Sequence, residues 1–109
     1  MNKDIIQQWT YYLDKSKEDY VLIKIAFAAD MRRLTEYVII YFTLINNTPT
    51  EITKYDCSEK ETAHSHKNYS AKKEKIFQNN PVTFETIEEI TTYLEKNWRT
   101  LKSKYLENK

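Results

Sequence analysis

Both histidines of the chain, His64 and His66, and its one cysteine, Cys57, fall between Lys54 and Tyr69, where Asp56 also stands directly behind Tyr55. Histidine titrates near neutrality, so it can take the proton of a ribose 2′-hydroxyl or give one to a leaving oxygen. Lysine stabilises the charge that builds on a phosphate. Two histidines two positions apart on a strand share a face, and a nearby Asp56 would favour the protonated imidazole. These residue types predict a catalytic site of His64, His66, Asp56, Tyr55 and Lys54, suited to cleavage of RNA without metal or cofactor. From Lys60 to Lys75 there are five Lys against two Glu. Within that run Lys60, Lys67, Lys72 and Lys73, with Tyr69 interleaved, predict a single-stranded RNA contact through phosphate pairing and base stacking. The plain alternative is a solvated, lysine-rich loop that guards a sheet edge. Asp56, Cys57, His64 and His66 can also be grouped as a zinc-like set, but their spacing fits no established zinc signature, and no metal is expected.

The elements that must hold this stretch follow from hydrophobic spacing. Ile5, Ile6, Trp9, Tyr12 and Leu13 recur at helical intervals and predict a short N-terminal amphipathic helix anchored in the core by Trp9. From Tyr20 to Ala28 the period changes to two, which predicts a strand. The polar break at Asp30-Met31-Arg32-Arg33 leads into a second strand, Leu34 to Ile45, rich in β-branched and aromatic residues; the short break predicts an antiparallel hairpin. Apolar residues on both faces of the second strand mark it as central. Asn46-Asn47-Thr48-Pro49 is a turn, followed by a third strand at about Glu51 to Cys57. Ala63 to Tyr69 and Glu74 to Gln78 are short candidates for a fourth and a fifth.

Asn79-Asn80-Pro81 ends the sheet. Thr83 is suited to cap a helix, with Val82 and Ile87 placed as a hydrophobic staple around it. Ile87, Ile90, Leu94, Trp98, Leu101 and Tyr105 then form one stripe on a long C-terminal helix, acidic at its start and basic at its end, as the helix dipole favours. The expectation is a single α+β domain over residues 1–109: N-terminal helix, antiparallel meander of three to five strands, and a long C-terminal helix packed on the sheet.

Composition narrows the classes of function. Seventeen basic residues against sixteen acidic give a formal charge of +1, so no global field draws nucleic acid or membrane. One cysteine precludes an internal disulfide, as suits a reducing cytosol. The N-terminus lacks the apolar run of a secretory signal, and no stretch is long enough for a bilayer span. A soluble cytoplasmic protein is therefore expected. With no glycine in the chain, positive φ falls to residues such as Asn, and phosphate loops and serine-hydrolase elbows are excluded.

Nine tyrosines exceed the needs of a core. Tyr20, Leu22, Tyr37, Ile39 and Tyr41 are expected to form an apolar patch on the sheet face away from the core, open to a protein partner or a second copy, unless the N-terminal helix covers it.

At Lys54-Tyr55-Asp56 and His64-Ser65-His66 the chain resembles the TumE-type toxins of toxin–antitoxin pairs and related small prokaryotic proteins, with Lys54 standing where Arg is usual. The likeness spans about Tyr20 to Trp98. It implies a toxin-like protein of a mobile or defence-related locus, acting on RNA or the translation machinery and neutralised by an antitoxin. The expectation from a different class is a non-enzymatic module, such as a phage or mobile-element inhibitor that binds a host protein through its tyrosine-rich surface.

Overall fold

The computed structural model describes residues 5–28, 33–57 and 82–108 in full, and the backbone of 58 and 64–67. Four long strands run in chain order, β1 (Ile5–Tyr12), β2 (Asp19–Phe27), β3 (Leu34–Ile45) and β4 (Thr48–Ser58), with a short β5 (His64–Lys67) beside β4 and the helix α1 (Phe84–Glu107) closing the chain. Every neighbouring pair is antiparallel and the spatial order is β1-β2-β3-β4-β5, an α+β meander with one C-terminal helix on it. The candidate strand at Glu74–Gln78 lies outside the described residues.

The N-terminal helix is corrected: residues 5–12 are a strand, paired with β2 without interruption from Ile5↔Phe27 to Tyr12↔Tyr20. Their spacing is helical and lacks strand alternation, but their residue types suit a strand. Ile, Trp, Thr and Tyr favour the pleated conformation, and the ladder to β2 outweighs the helical stripe. Trp9 is corrected with it. It sits on the sheet edge at 43% exposure instead of anchoring the core.

The remaining strands follow their patterns. β2 and β3 pair as a hairpin, and a bulge at Thr35 lets its hydroxyl donate to the Ala26 carbonyl at 3.2 Å. Between β3 and β4 the turn is Asn46-Asn47, with φ of 53° and 63°, so the left-handed positions fall to the residue type that tolerates them best in a chain without glycine. The β1–β2 turn is held by Asp14, whose carboxylate accepts the amides of Glu18 (3.1 Å) and Asp19 (3.0 Å).

Helix α1 starts at Thr83, whose hydroxyl accepts the Thr86 amide at 3.2 Å. Its stripe Ile87, Ile90, Leu94, Trp98 and Leu101 is buried against Val21, Ile23 and Ile25 of β2, Tyr37, Ile39 and Tyr41 of β3, and Ile52, Tyr55 and Cys57 of β4 in one cluster. The helix lies over β3 and β4, which leaves the β1 end of the same face thinly covered.

Candidate functional site

The central strand decides which side chains are available. Tyr37, Ile39 and Tyr41 are 1%, 0% and 0% exposed, beneath α1. The expected surface patch is corrected accordingly. Paired residues in an antiparallel ladder share a face, and the register sets Val21, Ile23 and Ile25 against Tyr41, Ile39 and Tyr37, whereas Tyr20 faces Phe42 and Leu22 faces Ile40. Tyr20 and Leu22 therefore lie on the opposite side of the sheet, and the proposed patch had joined residues from two faces. Alternation alone could not say which side of β3 the helix covers.

The open face has its own aromatic ladder. Tyr12, Tyr20 and Phe42 occupy one row across β1, β2 and β3. Tyr20 and Phe42 stack at 5.2 Å between centroids, and Tyr12 meets Tyr20 edge-on at 6.1 Å. The Lys17 ammonium stands 5.7 Å from the centre of the Tyr12 ring. Half-buried Leu22, Val38 and Ile40 continue the row toward the other end of the strands. Partial burial, and after it the neighbouring Tyr12, raises the Tyr20 hydroxyl above the usual tyrosine value. Tyr12 and Phe42 were missed in the sequence; the aromatic spacing became visible only once residues 5–12 were known to be a strand.

Lys54 and Asp56 project from β4 onto this same open face, two positions apart, with Lys54 Nζ 3.6 Å from Asp56 Oδ2 and the side chains 34% and 21% exposed. A pair so placed is screened and contributes ~0–1 kcal/mol. The β4–β5 register sets His66 opposite Lys54 and His64 opposite Asp56. Four of the five expected catalytic positions thus come together in adjacent cross-strand pairs. Tyr55 does not join them: it alternates to the core side at 1% exposure, opposite Ile39 and Ser65. Cys57 is likewise turned into the core. Asp56 and Cys57 lie on opposite sides of the sheet, so the zinc-like set is not assembled by β4. Among the described residues no three metal-ligating side chains converge. Of the expected RNA contacts, Lys67 ends β5 opposite Thr53, while Lys60, Tyr69, Lys72 and Lys73 lie outside the described residues.

A buried polar link was also invisible in the sequence. Asp19, 1% exposed at the start of β2, accepts the Tyr41 hydroxyl at 2.7 Å and the Lys102 ammonium of α1 at 3.3 Å. Burial first, and then the bond to Asp19, pushes the Tyr41 hydroxyl far up, so it stays a donor. This link ties the sheet to the helix; it is 83 residues apart in sequence at its helical end.

The chain belongs to the DUF7718 family, a domain of unknown function, which matches it over residues 2–109. No curated protein and no solved structure matches the chain. No described helix is long and apolar enough to cross a membrane.

Proposed function

We propose that this domain is a protein-interaction module, of the kind a phage or mobile element uses to inhibit a host protein, and that it binds through the open face of its sheet. The observation that carries the reading is the contiguous row Tyr12, Tyr20 and Phe42 with Leu22, Val38 and Ile40, over which no described element lies. An apolar area of this kind with aromatic anchors at one end is what protein interfaces use at their centre. The Lys54–Asp56 ion pair, partly exposed on the same face, adds a polar margin to the aromatic row. The test is cross-linking with mass spectrometry in a host cell, comparing the wild type with Ile40→Glu. The variant is expected to lose the partners that cross-link to the open face, with an unchanged circular dichroism spectrum. Identical cross-linking partners in both proteins would refute the reading.

A second reading is supported by one feature of the register: His64 and His66 stand opposite Asp56 and Lys54 at the margin of that face. On this reading the protein is toxin-like and acts on RNA, with the aromatic row as a stacking platform and a histidine as proton donor. It requires that expression arrests growth, and that changing both His64 and His66 to Ala relieves the arrest without lowering thermal stability.

A further inference from the structure

Among the described residues, strand β1 is an edge of the sheet with no device against further pairing. Its sequence, IIQQWTYY, contains no charge and no proline, its register with β2 has no bulge, and Ile5, Ile6, Trp9 and Tyr12 are exposed along it. Natural edges usually carry a lysine, a proline or a bulge for protection. Because α1 lies over β3 and β4, a groove of about 420 Å³ opens between the helix and this edge. Trp9, Tyr11, Ile23, Phe84 and Ile87 give it apolar walls, Glu88 and Glu95 are its charged residues, and no cation lines it among the described residues. The Tyr11 hydroxyl is shut off from solvent there and has no hydrogen-bond partner among the described residues.

We propose that β1 is the docking edge for an extended segment of a partner protein carrying Lys or Arg at alternate positions. The segment adds to the sheet as a strand, its backbone pairing with the free side of β1. Side chains of an added strand alternate between faces, so every second residue enters the groove. A basic side chain there passes over the Trp9 ring, where a cation is attracted by the aromatic face. Its aliphatic stem covers Phe84 and Ile87. Its head reaches the Glu88 and Glu95 carboxylates. Charge selects this occupant over a second copy of the chain. Antiparallel pairing of β1 with its own copy needs a two-fold axis through the sheet, which puts both helices on one side. The Glu88 and Glu95 pairs of the two copies would then line one joined groove with no cation among them.

This inference stands apart from the open-face reading, and the experiment separates them. The full chain is titrated with a soluble peptide of alternating Lys and Val and with its counterpart of alternating Glu and Val, following tryptophan emission. Trp9 is 43% exposed and Trp98 8%, so the signal reports the edge. The lysine peptide is expected to give a saturable blue shift that weakens with salt, and the glutamate peptide none. The double variant Glu88→Lys, Glu95→Lys, altered only at exposed helix positions, is expected to weaken binding at least tenfold. Ile40→Glu, on the other face, leaves it unchanged. The proposal is overturned by the absence of saturable binding, by equal affinity of the double variant, or by loss of binding in Ile40→Glu. Light scattering that shows a dimer dissociated by Trp9→Lys would overturn it in favour of a second copy at the edge.

Discussion

Removing the Tyr41 hydroxyl tests the link between sheet and helix most directly. The ring is 0% exposed and its oxygen lies 2.7 Å from a carboxylate that is itself 1% exposed. A hydrogen bond to a charged group contributes about 1.5–3 kcal/mol, so Tyr41→Phe is expected to cost that much. Asp19→Ala is expected to cost more, about 3–5 kcal/mol, because it strands a buried hydroxyl and removes the partner of Lys102. Lys102 is 28% exposed; solvent screens it, and Lys102→Met is expected to cost no more than about 1 kcal/mol. Adding Tyr41→Phe to Asp19→Ala removes the stranded hydroxyl, so the double variant should lose less than the two single losses together, with a coupling of about 1–3 kcal/mol. Urea denaturation followed by circular dichroism at pH 7 measures all four. Against a total of about 5–15 kcal/mol for a domain, these are large losses. A Tyr41→Phe loss below about 0.5 kcal/mol, or strictly additive single effects, would refute the idea that Asp19 organises this junction.

Leu94, fully buried on the α1 stripe, should cost about 2–5 kcal/mol when truncated to Ala, read as a lowered denaturation midpoint with the slope retained. Alkaline titration provides another test. Burial, and after it the neighbouring Cys57 and Asp56, pushes Tyr37 up to about 12, and burial with Glu95 does the same for Tyr11. A folded value above the unfolded one, near 10, gives stability that is complete below pH ~10 and is lost as pH rises toward 12. Tyrosinate absorbance should therefore show Tyr37 ionising together with unfolding, and Tyr37→Phe should extend the folded range to higher pH.

Much of the architecture was legible because it is written in short-range patterns. The period-two run of β2, the two-sided apolar run of β3 with its bounds Leu34 and Ile45, the Asn46-Asn47 turn and the capped helix stripe from Thr83 each depend on residues a few positions apart. The proximity of the histidines to Lys54 and Asp56 was legible for the same reason, since one short hairpin brings them into register. The tertiary structure decided the rest. Residues 5–12 carry helix spacing with strand-favouring residue types, and the ladder to β2 decided for the strand. Alternation assigned the residues of β3 to two faces but not which face the helix would cover, so Tyr37, Ile39 and Tyr41 became core and Tyr12, Tyr20 and Phe42 became surface. The position of α1 over β3 and β4 opened the groove at β1, and the same docking brought Lys102 to Asp19. Each of these depends on contacts between segments distant in sequence, and local periodicity carries no record of which distant segment will supply the partner.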